Sequence, residues 1–186
     1  MIIGVTGTLG SGKDTLSRYL EVRRGFVNFS TSDELRIEAD KRGLTQERPT
    51  WHMIATELRR DQGSFILAKR AYERALESKE KNVVISAIRS VGEIEYLKNI
   101  DKNFLMLATD APIELRYQRL VGRNRSGDEI TFEEFKRQED EELKPTEEFA
   151  PNLAAPIKLA HFVIINDSDL KSFENKIESI LSKYGV

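Results

Sequence analysis

Five short apolar runs punctuate the chain, at Ile2–Val5, Phe26–Phe29, Val83–Ile85, Phe104–Ala108 and Phe162–Ile165. Each is β-branched or aromatic in bias and ends at polar or glycine residues, as buried strands do. The stretches between them carry helical spacing. One helix is expected from Lys13 to about Arg23 and a second from Asp33 to Lys41. A long one follows Pro49 towards Ser78, with Gly63 placed to interrupt it. Others are expected near Glu93–Asn99, after Asp110 and Pro112, after Thr131, and from Leu170 to about Tyr184. Asp110 is placed to cap the helix whose first turn holds Pro112. Thr131 with Glu134, and Thr31 with Glu34, fit capping boxes. The stretch from Pro145 to Pro156 reads as an irregular connection. Strands alternating with helices predict a parallel sheet covered on both faces. The expected fold is a three-layer α/β/α domain with a five-stranded parallel sheet, filling residues 1–186.

Composition narrows the chemistry. The 186 residues suit one domain and are too few for two full ones. No cysteine is present, so a disulfide scaffold, a thiolate metal site and cysteine catalysis are excluded. Lys and Arg number 29 against 31 Asp and Glu, a net charge of −2, which gives no support to a broad basic face for nucleic acid. No apolar run approaches the roughly 20 residues that span a bilayer, and the N-terminus lacks the form of a signal peptide. A soluble cytoplasmic protein with small-molecule partners, without nucleic acid or membrane, is the expectation.

The first run leads into Gly7-Thr8-Leu9-Gly10-Ser11-Gly12-Lys13-Asp14-Thr15. Gly7, Gly12 and Lys13 match the phosphate-loop pattern G-x-x-x-x-G-K-[ST]. Glycines let backbone N–H groups turn inward around phosphate oxygens, and the following helix adds its positive end. Lys13 adds a compact point charge near the β- and γ-phosphates. Asp14 stands where the pattern has Ser or Thr, and the hydroxyl is displaced to Thr15, the residue nearest the Mg²⁺–phosphate region. The expected ligand of Gly7 to Thr15 is therefore ATP with Mg²⁺.

The loop is similar to G-x-x-G-x-G-K-G-T of adenylate kinases and to G-K-D-T of some phage deoxynucleotide kinases. Ser30-Thr31-Ser32-Asp33-Glu34-Leu35-Arg36 resembles S-T-G-D-L-L-R, which opens the monophosphate-binding helix of adenylate kinases. That resemblance assigns Thr31 and Arg36 to the phosphoryl acceptor, with Ser32 in place of the family's glycine. As sequence, Arg36 also reads as a solvated helical arginine. Asp33 has two possible roles, holding a water on Mg²⁺ or acting as base towards a hydroxyl acceptor as in dephospho-coenzyme A kinases. Ser86-Ala87-Ile88-Arg89 stands where adenylate kinases have D-G-F-P-R. Arg89 is retained as the expected second clamp on the acceptor phosphate, whereas Ser86 replaces the acid that orders the metal's waters.

From Asp110 to Arg123 the chain resembles D-A-P-x-E-L-x-x-x-R-L-x-x-R, which precedes the lid of nucleotide kinases. Arg119 and Arg123 lie four apart on one helix face and would embrace the transferring phosphoryl group. Arg125 would sit at the lid hinge, and Arg137-Gln138-Glu139-Asp140 resembles the R-x-D-D element that closes the lid. The expected lid spans about 124–140 and the acceptor-binding helical insertion about 31–79. The chain as a whole resembles P-loop nucleoside monophosphate kinases. More closely, it resembles an archaeal group related to dephospho-coenzyme A kinases and adenylate kinases. That group's marks here are Ala55-Thr56-Glu57-Leu58-Arg59, Ile88-Arg89-Ser90 with Glu93, and Val163 to Leu170. The resemblance implies a kinase acting on a nucleoside monophosphate or similar small phosphorylated acceptor. A dephospho-coenzyme A kinase is the alternative, and a nucleotide-binding switch or slow ATPase is the alternative of another class.

Other signals carry less. Arg59 reads as an exposed helical arginine, and the acidic run Glu139 to Glu142 as helix surface. Asn175-Lys176-Ile177-Glu178 imitates a base-reading motif but falls inside the last helix. His161 at the start of a strand reads as structural.

Overall fold

The structure is a computed structural model that describes residues 1–123, 130–146 and 148–186. Its frame is a parallel sheet with strand order β2-β3-β1-β4-β5, built from β1 (Ile2–Gly7), β2 (Val27–Ser30), β3 (Val83–Ser86), β4 (Leu105–Asp110) and β5 (Phe162–Ile165). Every expected apolar run forms a strand. Pairing of Val5 with Ser86, Gly7 with Thr109 and Ser30 with Ser86 brings four carboxyl ends to one edge. Sheets of this kind bind ligands there, where the chain reverses its direction across the sheet.

Alternation along the strands feeds two cores. Ile2, Ile85 and Met106 pack with Ala71, Ala75, Ile94 and Leu97. These come from α4 (Ile66–Ser78) and α5 (Val91–Ile100). Ile3, Val5, Val84 and Leu107 face the other way, onto Leu16 and Leu20 of α1 (Lys13–Arg24) and Phe173, Ile177 and Leu181 of α9 (Leu170–Lys183). Full burial of such side chains contributes about 1.5–3 kcal/mol each, so the spacing at i, i+4 and i+8 fixes the roll of α9. A third cluster joins α2 (Thr31–Lys41), α3 (Arg48–Gln62) and α4 through Ala39, Ile54, Leu58 and Leu67.

The expected long helix after Pro49 is divided. Gly63, at φ 99°, ends α3, and its N–H bonds the carbonyl of Arg59. Two caps differ from expectation. Ser30, not Thr31, caps α2 by accepting from the Ser32 N–H, because the Thr31 hydroxyl donates to the Ala87 carbonyl at 2.7 Å. Asp110 does not cap α6 (Ile113–Gly122), whose cap residue is Pro112. The Asp110 carboxylate accepts from Thr8 and the Ala111 N–H instead. Thr131 does cap α7 (Phe132–Leu143) through the Glu134 N–H. A short helix, α8 (Ala154–Lys158), begins within the stretch expected to be irregular and runs past its end at Pro156. His161 is structural, as expected: its Nδ1 accepts from the Met106 N–H. No described helix is long and apolar enough to cross a membrane.

Ala87 is held at φ 62°, in the left-handed region that favours glycine. The kinases this chain resembles have glycine there. Hydrogen bonds on both sides hold the loop in that shape, from Thr31 to the Ala87 carbonyl and from the Ile88 N–H to the Val5 carbonyl. Ala87→Gly should therefore stabilise the fold by about 0.5–1 kcal/mol, seen as a higher urea midpoint at unchanged slope.

Candidate functional site

The loop between β1 and α1 has the curvature that its glycines allow. Gly10 and Gly12 sit at φ 78° and 102°. A Cβ on Gly10 would lie 2.5 Å from the Arg116 carbonyl oxygen, and one on Gly12 would strike the Asn166 side-chain amide. Ser11 is fully buried, and its hydroxyl bonds the Thr8 carbonyl and Thr109 at 2.7 Å each. The cradle is thus fastened to the end of β4 before any ligand arrives. Leu9 faces α7 across a small cavity that Phe135, Glu139, Glu142 and Leu153 also line.

Lys13 opens α1 with its side chain 15% exposed, 3.9 Å from Asp14, whose own carboxylate is largely in solvent. Burial lowers the Lys13 pKa. Asp14 and Glu142 oppose that shift, while Arg89 and Arg123 add to it. The lysine, both arginines and Glu142 therefore share one electrostatic site. Arg89 donates to a Glu142 oxygen at 2.6 Å. Burial works against the Glu142 charge, but Arg89, Lys13 and Arg48 together hold its pKa below the usual carboxylate value.

The other expected site residues are placed as follows. Thr15 lies half-buried in the first turn of α1. Thr31 is buried and spends its hydroxyl proton on Ala87, so its expected acceptor role gives way to fastening α2 against the end of β3. Asp33 and Arg36 pair with each other at 2.7 Å, each about half exposed, and the Arg36 guanidinium lies 5.0 Å from the Trp51 ring centroid. Arg119 turns to the end of β5, bonding the Asn166 carbonyl at 3.0 Å and its side-chain oxygen at 3.2 Å. Arg137 points away from the loop, 61% exposed, and pairs with Glu134 and Glu141 on its own helix. Its expected part in closing a lid has no counterpart in that placement. Arg125 lies outside the described residues, as does the segment 124–129 of the expected lid.

Sequence reasoning missed four participants. Glu139 and Glu142 form the inward face of α7, where Glu139 takes both terminal nitrogens of Arg116. An acidic run on an amphipathic helix looks solvated, and only the arginines opposite show that two of its acids turn in. Asn166 is buried, with its amide donating to the Ser11 carbonyl at 3.0 Å, so it ties β5 to the cradle. Arg59 is 2% exposed rather than solvated and pairs with the buried Glu93 at 3.1 Å. The Ser90-x-x-Glu93 spacing was a legible capping box, and it forms in full.

A loop so curved, ending at a buried lysine and joined by two arginines, is suited to gripping polyphosphate. The residues also fit Mg²⁺ carried in with that ligand. A hydroxyl follows the lysine at Thr15, and no group of three acids or histidines gathers among the described residues. Mg²⁺ is commonly held this way, by phosphate oxygens and water with few protein ligands.

The comparisons agree with this geometry. Residues 3–144 match the AAA_18 family model, an AAA domain, so the match runs from β1 through α7. Among solved structures, shikimate kinase from Bacteroides thetaiotaomicron superposes with a TM-score of 0.56 at 15% identity, covering 100% of this chain and 99% of that one. A gluconokinase from Sinorhizobium meliloti gives 0.55 at 14% identity, covering 97% and 91%. The fold is that of P-loop kinases. A UPF0200 protein of Pyrobaculum aerophilum is 33% identical over 183 residues, covering 97% of this chain and 96% of that protein. The chain belongs to the UPF0200 family.

Glu142 already sits among cations that a phosphate would use, and so competes with it. Glu142→Gln should tighten the binding of inorganic tripolyphosphate about fivefold, measured by titration calorimetry. Weaker binding would show instead that the carboxylate helps to hold the ligand.

Proposed function

We propose that this protein is an ATP- and Mg²⁺-dependent phosphotransferase acting on a nucleoside monophosphate or a similar small phosphorylated acceptor. The observation that carries the reading is Lys13 at the end of the curved loop Gly7 to Thr15, with Glu142 and its partner Arg89 facing the same loop across the cavity that Leu9 lines. Lys13 and the loop backbone hold the donor phosphates, and Thr15 lies at the metal. Arg89 and Arg123 meet the charge that spreads over the transferring phosphoryl group, where positioning and electrostatics do nearly all of the catalysis. Arg119, bonded at the end of β5, serves the donor from the other side of the loop. The segment 31–79 is the acceptor-binding insertion, with Arg36 as its cation, and 124–140 is a short lid.

A phosphomonoester acceptor needs no base, because its second pKa near 6 leaves it largely ionised at neutral pH. A hydroxyl acceptor does need one, and one observation favours that second reading. Asp33 is exposed at the first turn of α2, where its carboxylate accepts from Arg36 at 2.7 Å and stays open to a ligand. This is the arrangement a dephospho-coenzyme A kinase would use. Ser86, buried where the related kinases have an acid, favours a slow ATPase or switch.

ADP formation measured with each nucleoside monophosphate, with dephospho-coenzyme A and with no acceptor separates the three. Stimulation of at least tenfold by one monophosphate is the expected result, and equal ADP release in every arm would remove the transferase. Lys13→Ala should abolish ATP binding; retained affinity would refute the loop assignment. Arg36→Ala and Arg89→Ala should each raise the acceptor KM about tenfold, as loss of a charge-assisted bond does.

A further inference from the structure

The Arg59–Glu93 pair joins two motifs distant in sequence, and its chemistry exceeds what a helix cap requires. One oxygen of Glu93 accepts from the Arg89 N–H at 2.6 Å and from the Ser90 N–H at 3.1 Å. The other accepts from Arg59 at 3.1 Å. A neutral glutamine would complete the same cap. The charge therefore calls for a second explanation, and Arg59 is its partner.

The pair is costly to keep. Glu93 is 0% and Arg59 2% exposed, so both charges are stripped of water. Arg59 Nε and Nη1 are buried and find no hydrogen-bond partner among the described residues. A buried pair so incompletely satisfied is weak support for stability, and two packed neutral side chains would serve folding as well. What it does secure is geometry. The Arg89 N–H is held by Glu93 and the Arg89 carbonyl by the Asn152 N–H at 2.9 Å. On either side, the Thr6 hydroxyl holds the Ile88 carbonyl at 2.7 Å and the Ser90 hydroxyl holds the Ser64 carbonyl at 2.6 Å. With its backbone clamped, the Arg89 guanidinium emerges beside Lys13 and Glu142.

We propose that Arg59 and Glu93 are positioning residues that aim Arg89 at the phosphate site, a role that rests on Arg89 being a phosphate ligand. Arg59 reaches no ligand itself. It fixes the Glu93 carboxylate, which fixes the Arg89 backbone and so the origin of its side chain. Through Arg59, α3 of the helical insertion is tied to the residue that grips phosphate.

The test compares MgATP affinity with folding stability in five proteins: wild type, Arg89→Ala, Arg59→Met/Glu93→Gln, the triple variant, and Arg59→Lys. Removing both buried charges should leave the urea midpoint unchanged or raised, since neither ion is then stranded. MgATP should nevertheless bind about fivefold more weakly in Arg59→Met/Glu93→Gln and about tenfold more weakly in Arg89→Ala. The triple variant should match Arg89→Ala, because the pair acts only through Arg89. Arg59→Lys, which keeps one donor to Glu93, should fall between wild type and the double variant. An equal loss of affinity with and without Arg89 would overturn the proposal, as would unchanged affinity in the double variant. If Arg89→Ala alone leaves MgATP binding unchanged, Arg89 does not hold the donor phosphate and the proposal falls with that premise, an outcome distinct from a failure of the pair.

Discussion

Lys13, Arg89 and Arg123 are like charges that act on one another, and their repulsion shapes the structure around Lys13. The lysine is largely buried, with Arg89 and Arg123 both acting to drive off its proton. A site like this needs an anion in the free protein. Asp14 and Glu142 supply that charge, and Arg89, Lys13 and Arg48 hold the Glu142 pKa below the usual carboxylate value against the opposing effect of burial. The position of α7 follows from the same constraint. Its second inward acid, Glu139, meets the buried Arg116, whose guanidinium lies 5.8 Å from the Phe135 ring centroid. α7 thus docks on charge at one end of its inner face and on an aromatic contact at the other.

Much of the fold was legible because its signals are local. Strand runs, helix periods and the glycine pattern of the phosphate loop each lie within a few residues, and tertiary packing agrees with them. The whole set of strands and the curvature around Gly10 and Gly12 follow from such signals. What stayed hidden depends on partners distant in sequence. Thr31 satisfies the local pattern of a capping box, yet Ala87 takes its hydroxyl and Arg74 takes Glu34 at 2.7 Å. Arg59 has the spacing of a solvated arginine, and only the fold brings Glu93 against it. Arg137 and Glu142 reverse roles for the same reason: the roll of α7 is set by Phe135, which is fully buried, and sequence charge alone does not reveal that roll.

Two hydrogen-bond chains lock the cradle to the sheet from opposite sides. On one, Ser11 reaches Thr109, and Thr8 reaches Asp110, both at the end of β4. On the other, Asn166 after β5 holds the Ser11 carbonyl while Arg119 holds Asn166. Within the loop the Ser11 N–H closes a turn onto the Thr8 carbonyl at 3.2 Å, and side chains of neighbouring strands supply the rest of its support. This explains why buried polar residues cluster at the carboxyl edge, where the rest of the sheet is apolar.

Helix α3 is where these constraints meet. The charge of Arg48 at its start acts on Glu142, and Arg59, about 16 Å further along at the helical rise, reaches the loop of Arg89 through Glu93. Both routes end at the cations around Lys13, although neither residue belongs to the phosphate loop. Ile54, Ala55 and Leu58, buried between these two arginines, pack the same helix against α2 and α4. A shift of α3 must therefore disturb either this apolar core or the charges around Lys13. Such a helix converts the position of one part of the fold into the placement of a cation in another. A buried, half-satisfied ion pair is a costly device for stability, but for that purpose it is an effective one.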